Sequence, residues 1–455
     1  MRSRAIAGLV GAALASAGLA HMTGVGFAEP APLSSGEDTA PVGDARAKAQ
    51  GAESGASLGG LEIEIGRALF EKLWVAAPSS TKGSDGLGPM FNARACSNCH
   101  AQGGRSSLPE AHVSGAVVES TIGTVVKFTS PDAQRAFGTQ LQDRTVTGAH
   151  HSAQAGETPA RQPLTPEGTL RLRYDMRPMT LGDGTQVTMR RVSPQISGAA
   201  AHVEGLSLRV SPPLFGMGLI AGIGEAELRA RADPFDVNGD GISGRVAEAY
   251  SPELGRAALA RFGWRGGAVT LMDQSADAFS TDMGLSTPLF PDPQGDCLTC
   301  AGMAHGGDAG LRDGHEVSAS TLDLVTRFVA DLAVTTPLIG EVSSGAAQTG
   351  ADLFAQAGCE ACHVRDPYSN GARPYSDFLL HDMGEDLGDD GGREWRTAPL
   401  WGLNVPQTSY LHDGRAVTLL EAVLWHGGEA RAARDRVAQM TAAQREALLD
   451  YLRSL

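Results

Sequence analysis

Large aromatic side chains are scarce in this chain of 455 residues, which has 5 tryptophans, 6 tyrosines and 13 phenylalanines. Glycine and proline are abundant, with 58 and 24 residues. Such a composition predicts many loops and leaves few bulky side chains to fill a core. The length allows two or three domains.

Positive charge is also in short supply, with 37 Lys and Arg against 52 Asp and Glu and a formal net charge of −15. An acidic surface repels nucleic acids and anionic membranes. The balance therefore argues against both as partners and is compatible with basic protein partners.

Long apolar runs are missing except at the N-terminus. Arg2 and Arg4 precede an uncharged apolar run from Ala5 to Leu19, and small residues follow up to Ala28. This pattern is typical of a secretory signal peptide over residues 1–28. The alternative is a membrane anchor, which the shortness of the run disfavours. Residues 29–60 are rich in Ala, Gly, Ser and Pro and predict a disordered leader.

Four of the six cysteines lie in two Cys-x-x-Cys-His pentads, a first pentad at Cys96–His100 and a second at Cys359–His363. Each has the pattern of a c-type haem attachment site, in which both thiols bond to porphyrin vinyl groups and the histidine binds the iron. We therefore expect two covalently bound haem c groups, held by Cys96, Cys99 and His100 and by Cys359, Cys362 and His363. In bacteria this attachment takes place outside the cytoplasm, so the expected location is the periplasm.

A weak internal repeat precedes the pentads. Gly66–Phe70 and Gly350–Phe354 both fit G-x-x-L-F, and apolar spacing predicts a helix over Leu61–Trp74. Helices are also predicted over Leu214–Ala230 and Ser320–Leu332. A closing amphipathic helix is predicted over residues 441–455, with Thr441 as its N-cap. We expect an N-terminal haem unit over 61–340 and a C-terminal cytochrome c domain over 341–455.

The periodicity changes to that of strands near residues 113–210. Strands are indicated within Ala116–Phe128, Thr169–Arg177 and Thr185–Val192, with a hairpin turn at Leu181–Gly184. The predicted fold is therefore mainly α, with two cytochrome c-like haem units, long loops and a β-rich insertion.

The remaining pair, Cys297 and Cys300, is followed by Ala301 and has no adjacent histidine. Three interpretations stay open: a structural disulfide, a redox-active dithiol, or a metal site completed by His305 or His315. An oxidising compartment favours the disulfide.

A calcium-like loop begins at Asp236 and carries side-chain oxygens on Asp236, Asn238 and Asp240, with glycine at the sixth position. This is the first half of an EF-hand loop, but its twelfth position is Ala247 rather than glutamate. The sequence thus indicates a shortened calcium site or, alternatively, a turn without an ion.

Several stretches together resemble the bacterial di-haem oxidoreductase family often labelled "thiol oxidoreductase, CxxC type". They are Asp85–Asn92, Asn238–Arg245, Arg261–Trp264, Asp282–Leu285, Leu380–Gly384, Arg393–Gly402, Leu411–Arg415 and Trp425–Ala430. The resemblance covers the chain from about residue 60 to its end.

The stretches Arg396–Leu400 and Tyr410–Val423 are also distantly similar to the C-terminal half of bacterial di-haem cytochrome c peroxidases. That similarity implies that His426 is the distal ligand of the second haem. It also makes the first haem the candidate reactive one. No catalytic residue is identified.

The resulting expectation is an enzyme that couples electron transfer to peroxide reduction or substrate oxidation. Its partners would be a small redox protein and a small substrate such as peroxide. One alternative is a non-catalytic electron-transfer cytochrome. A second is a thiol/disulfide oxidoreductase that uses Cys297 and Cys300.

Overall fold

The computed structural model describes residues 60–77, 79–146, 164–292, 294–300, 303, 312–334, 344–405 and 407–455. These residues all belong to one unit, Arg46–Leu455. In chain order its helices are α1 (Gly60–Glu71), α2 (Cys96–Cys99), α3 (Pro131–Phe137), α4 (Met217–Ala221), α5 (Glu225–Arg229), α6 (Leu271–Met283), α7 (Ala319–Asp331), α8 (Ser344–Ala357), α9 (Gly384–Leu387), α10 (Leu419–Leu424), α11 (Arg431–Gln439) and α12 (Ala442–Arg453).

The strands form several small sheets rather than one large one. They are β1 (Val75–Ala76), β2 (Asp85–Leu87), β3 (Met90–Phe91), β4 (Val117–Glu119), β5 (Thr124–Phe128), β6 (Arg144–Thr145), β7 (Thr169–Thr180), β8 (Gln186–Ser197), β9 (Leu206–Val210), β10 (Ala247–Ser251), β11 (Arg256–Ala260), β12 (Leu380–Asp382) and β13 (Glu394–Arg396).

The mainly α fold class predicted for the chain is wrong, because the structure is 34% helical and 20% strand. Much of the unexpected strand content lies outside the β-rich segment. The antiparallel pairs β10–β11 and β12–β13 consist of short strands joined by loops, and β10 and β11 are rich in alanine. Short, alanine-rich strands lack the β-branched alternation that marks a strand in a sequence.

The predicted hairpin is confirmed and is longer than expected. β7 and β8 pair over twelve residues each, and the turn is closed by a hydrogen bond from the Leu181 amide to the Thr185 carbonyl. Alternate residues of the first half of β7 face a core that includes Leu172 and Tyr174. The run 116–128 is divided into β4 and β5 by a turn at Gly123, which has a positive φ of 90°.

Each G-x-x-L-F helix crosses a second helix closely at its glycine. In α1, Gly66 lies against the backbone of Leu324 in α7, and Phe70 contacts Phe328 with ring centroids 5.2 Å apart. In α8, Gly350 lies against α12, where the rings of Phe354 and Tyr451 are 5.6 Å apart. Each copy of the sequence repeat thus forms a close helix crossing just before a pentad.

The other predicted helices are found with small changes of extent. α1, α7 and α12 match their predictions, and Thr441 caps α12 by accepting a hydrogen bond from the Gln444 amide. The helix predicted over residues 214–230 is divided into α4 and α5, which are separated at Gly222–Gly224.

Some predictions fall on residues outside the described ranges. The signal peptide and nearly all of the leader do so, and so does the domain boundary near residue 340. Among the residues described, no helix has both the length and the apolar character needed to span a membrane.

We predict that Gly350→Val lowers the melting temperature. A Cβ at this position would lie 2.5 Å from the Tyr451 Cβ and would clash with the Ala447 carbonyl, and overpacking of this kind costs about 1–3 kcal/mol. Thermal unfolding followed by circular dichroism measures the change. Gly267→Ala is the matched control, because a Cβ there meets no atom within 4 Å. Equal melting temperatures for the two variants would contradict the close helix crossing.

Candidate functional site

The first pentad folds as the short helix α2 followed by a turn. The His100 amide donates a hydrogen bond of 2.9 Å to the Cys96 carbonyl, which brings the histidine back over the two cysteines. Cys96 and Cys99 are unpaired and partly buried. Burial and the nearby carboxylate of Asp282 raise the pKa of both thiols to about 12, so they are protonated at neutral pH.

The second pentad repeats this geometry. α8 ends at Ala357, and the φ of 86° at the next residue, Gly358, lets the chain turn into the pentad. The His363 amide donates a 3.0 Å hydrogen bond to the Cys359 carbonyl. Cys359 and Cys362 are likewise unpaired and partly buried. Two segments more than 250 residues apart in sequence therefore adopt the same backbone contact between the first cysteine and the histidine.

The imidazole of His363 is oriented by a backbone carbonyl. Its Nδ1 lies 2.9 Å from the Tyr375 carbonyl oxygen, which can only accept a hydrogen bond. Burial lowers the pKa of His363 to about 4, so the ring is neutral at pH 7. The neutral ring carries its proton on Nδ1, and the lone pair on Nε2 is free for a metal.

His100 is held neutral in the same way. Burial lowers its pKa to about 4. Its Nδ1 is buried with no hydrogen-bond partner among the described residues. An unpaired buried ring nitrogen is costly unless a ligand uses the imidazole.

His426 follows α10 and lies in the neighbourhood of His363, since a charge on His426 would lower the pKa of His363. Its Nδ1 lies 2.8 Å from the Ala422 carbonyl, and burial lowers its own pKa. The lone pair on Nε2 is therefore free here too. The prediction that His426 is the distal ligand of the second haem is compatible with this neutral ring and stays a prediction.

These features fit a haem c at each pentad. The paired thiols stay reduced, both histidines are neutral, and His363 has the backbone support that iron-ligating histidines commonly have. The fit is strongest at the second pentad, where a second neutral imidazole lies nearby.

His381 is near the second pentad but has no free ring nitrogen. Its Nε2 is 2.9 Å from Asp377 and its Nδ1 is 2.9 Å from Glu429. Burial opposes protonation, yet these carboxylates raise the pKa of His381 to about 12. In the described part of the chain, one set of three potential metal-binding side chains converges within 4.8 Å, and it consists of Cys362, Asp377 and His381. Its geometry is that of an ion pair beside the second cysteine of the pentad.

The third cysteine pair forms a disulfide between Cys297 and Cys300, with Cα atoms 5.3 Å apart. Both residues are buried, at 3% and 0% exposure. The Thr299 hydroxyl lies 3.1 Å from Glu167 and 3.3 Å from the Cys297 sulfur. An external thiol has no direct access to either sulfur.

The calcium-like loop curls back on itself. The Gly241 amide donates to the carboxylate of Asp236 at 3.1 Å, and the Asn238 side-chain amide donates to Asp240 at 3.1 Å. Asp233 caps the same turn by accepting from the amide of Val237. Asp236, Asn238 and Asp240 thus lie on one tight turn at the surface.

A cluster of arginines and aromatic rings was missed by sequence reasoning. Trp395 stacks on His412 with ring centroids 3.6 Å apart, and Arg209 and Arg265 lie over the Trp395 ring at 4.4 and 3.9 Å. Both arginines also pair with Asp389 at 2.7 Å. Trp395 lies in a stretch of the family resemblance, but nothing in the sequence shows that distant arginines converge on it.

Two glutamates and two further tryptophans have structural partners. Glu225 and Glu394 form ion pairs with Arg229 and Arg245. The indole of Trp264 donates to the Val210 carbonyl at 2.9 Å, and Trp401 is part of the main apolar core. Neither Glu225 nor Glu394 is therefore a free acid or base.

Comparison with known proteins agrees with this geometry. The sequence profile of a family described as "Di-haem oxidoreductase, putative peroxidase" matches residues 34–455. A search of curated proteins finds no significant match. A chain of xenon-pressurised hydrazine synthase from Kuenenia stuttgartiensis aligns with 17% identity and a TM-score of 0.30, over 55% of this chain and 73% of that one, a likeness too low to carry an argument. With paired cysteines and neutral histidines at both pentads and a profile match over most of its length, the chain belongs to the di-haem oxidoreductase family.

Proposed function

We propose that the protein is a periplasmic di-haem c-type cytochrome that couples electron transfer to peroxide reduction or to oxidation of a small substrate. The observation that carries the proposal is the pair of equivalent pentads, each with two reduced cysteines and a neutral histidine. The family profile supports haem oxidoreductase chemistry. Covalent attachment, export and the reaction are parts of the proposal.

The residues have distinct roles in this proposal. Cys96 and Cys99 attach the first haem, and Cys359 and Cys362 attach the second. When bound, the two haems supply two one-electron couples, which matches the reduction of peroxide to water, H2O2 + 2 e− + 2 H+ → 2 H2O. The Tyr375 carbonyl keeps the Nδ1 proton of His363 in place and leaves Nε2 for the iron.

The axial ligands would differ between the two haems. His363 and His426 are both neutral, and each has its Nδ1 held by a backbone carbonyl, which favours a bis-histidine second haem. A bis-histidine iron usually has a lower potential than a His/Met iron. His363 and His426 would then hold a haem suited to electron transfer, and His100 would hold the haem at which substrate binds.

The electronic and low-temperature EPR spectra of the ferric holoprotein test this division. We expect one high-spin and one low-spin haem, with the high-spin signal lost when peroxide is added. His426→Ala should convert the low-spin haem to high spin, because the second iron loses its sixth ligand. Two low-spin haems that are indifferent to peroxide would contradict the enzyme and favour an electron-transfer cytochrome.

A thiol/disulfide reaction at Cys297 and Cys300 is disfavoured by their burial. Replacing both cysteines by alanine should leave peroxide turnover and both haem spectra unchanged. It should lower the free energy of unfolding by about 2 kcal/mol, the loop-entropy value for so short a closed loop. The control is the wild-type protein assayed at equal haem content. Loss of peroxide turnover in the double alanine variant, at an unchanged haem content, would support the thiol mechanism.

We also propose that the loop at Asp236, Asn238 and Asp240 binds calcium. The turn already has the hydrogen bond between its first and sixth positions, Asp236 and Gly241, and its side-chain oxygens lie on one loop. Calorimetric titration should show calcium binding that Asp240→Asn weakens. Identical titrations of the wild type and of this variant would contradict the site.

The partners proposed are a small redox-active protein and a small substrate such as peroxide. The acidic balance of the chain, with a net charge of −15, suits a basic redox protein.

A further inference from the structure

Two arginines near the pentads, the buried Arg396 and the partly buried Arg105, have no carboxylate partner in the described part of the chain. The Nε of Arg105 is inaccessible to solvent and has no hydrogen-bond partner, and Arg396 is 8% exposed. Among the residues that the structure describes, neither has a carboxylate within ion-pair distance, although burial lowers the pKa of both to about 10. A buried ion without a partner loses its hydration and gains nothing in return.

Neighbouring arginines show the contrast. Arg209 and Arg265 share Asp389, and Arg415 lies 2.6 Å from Asp413. The fold therefore supplies carboxylates to the arginines around Trp395. Arg105 and Arg396 instead have neutral partners among the described residues: the Leu411 carbonyl and the Trp264 ring for the first, and the Gly263 and Thr397 carbonyls and the Phe378 ring for the second.

Arg105 lies beside the first pentad. The next residue, Ser106, donates through its hydroxyl to the Gly123 carbonyl at 2.6 Å. Gly123 in turn packs on Cys99, because a Cβ built on it would lie 3.4 Å from the Cys99 Cα. The chain at Arg105 is thus fixed against the backbone of the second cysteine.

Arg396 lies beside the second pentad. Its guanidinium donates to the Thr397 carbonyl at 3.1 Å, and the Ser376 hydroxyl donates to the same oxygen at 2.8 Å. The adjacent Asp377 amide donates to the Cys362 carbonyl at 3.0 Å. Asp377 raises the pKa of Arg396 at longer range, but its carboxylate is bonded to His381.

Trp264 connects the two positions. Its ring lies 5.4 Å from the Arg105 guanidinium carbon, and its carbonyl accepts a 3.0 Å hydrogen bond from the Arg396 amide. Arg105 and Arg396 are therefore linked through Trp264. One arginine lies beside each pentad.

We propose that Arg105 and Arg396 each bind a propionate carboxylate of the haem attached to the neighbouring pentad, an inference that rests on the proposed attachment of two haems. A haem brings two carboxylates into the protein. A guanidinium binds a carboxylate through two parallel hydrogen bonds, so each arginine would gain the counter-anion that the chain does not provide. A substrate that carries a carboxylate could bind an arginine in the same way. Such a substrate needs a single site, whereas the two arginines lie beside two different pentads.

Arg105→Gln and Arg396→Gln holoproteins test the assignment. The haem content of each variant is measured first, by the mass of the denatured chain, so that failed attachment is distinguished from failed propionate binding. With both haems attached, each substitution should shift the propionate bending band in the low-frequency resonance Raman spectrum. It should also lower the midpoint potential of its own haem, since a positive charge beside that haem is lost. The other haem should be unchanged.

Arg105→Lys and Arg396→Lys keep the charge and remain informative if the glutamine variants fail to fold. They should retain the potential but still shift the propionate band, because the paired hydrogen bonds are lost. Arg445→Gln is the matched control, since Arg445 is buried but pairs with Asp183. Unchanged Raman bands and potentials in the Arg105 and Arg396 variants, with both haems attached, would overturn the proposal. Acetate, titrated into the same variants as a small carboxylate probe, separates the other possibility. Weaker acetate binding by a variant whose Raman bands are those of the wild type would also overturn the proposal, because it would indicate an anionic substrate site.

Discussion

The backbone hydrogen bonds that hold the Nδ1 atoms of His363 and His426 are the constraint on which the rest of the account depends. A carbonyl can only accept, so it fixes the proton on Nδ1 and leaves Nε2 with its lone pair. Burial keeps both rings neutral. At the second pentad this combination gives each imidazole a neutral ring with a lone pair on Nε2, the form in which histidine binds a metal.

The surrounding structure places these rings through repeated helix packing. Gly66 and Gly350 allow two helices to cross closely, and each crossing leads into a pentad where the histidine amide bonds to the first cysteine's carbonyl. Trp264 and Trp395 each have arginine guanidinium groups near the ring, Arg105 for the first and Arg209 and Arg265 for the second.

The elements with strong local signals could be predicted from the sequence. The spacing of apolar residues located α1, α7 and α12, and the Gly-containing turn located the hairpin of β7 and β8. Short strand pairs such as β10–β11 and β12–β13 could not be predicted, because their sequences lack a regular alternation of apolar and polar residues. Their pairing is set by contacts that exist only in the folded chain. This explains why the expected mainly α fold was wrong.

The candidate site divides in the same way. The pentads are local patterns that can be recognised directly in the sequence, and His426 is a candidate ligand that a family resemblance suggests. The arginines could not be found, because a buried cation without an anion is a property of the folded chain. Arg105 and Arg396 are 291 positions apart in sequence and are related only through Trp264.

Mass spectrometry of the mature protein made with c-type haem maturation machinery tests the central claim most directly. The account predicts a denatured chain that carries the mass of two haems, and of one haem when either Cys96 and Cys99 or Cys359 and Cys362 are replaced by alanine. A wild-type chain without covalently bound haem, or one that keeps both haems in either variant, would contradict it.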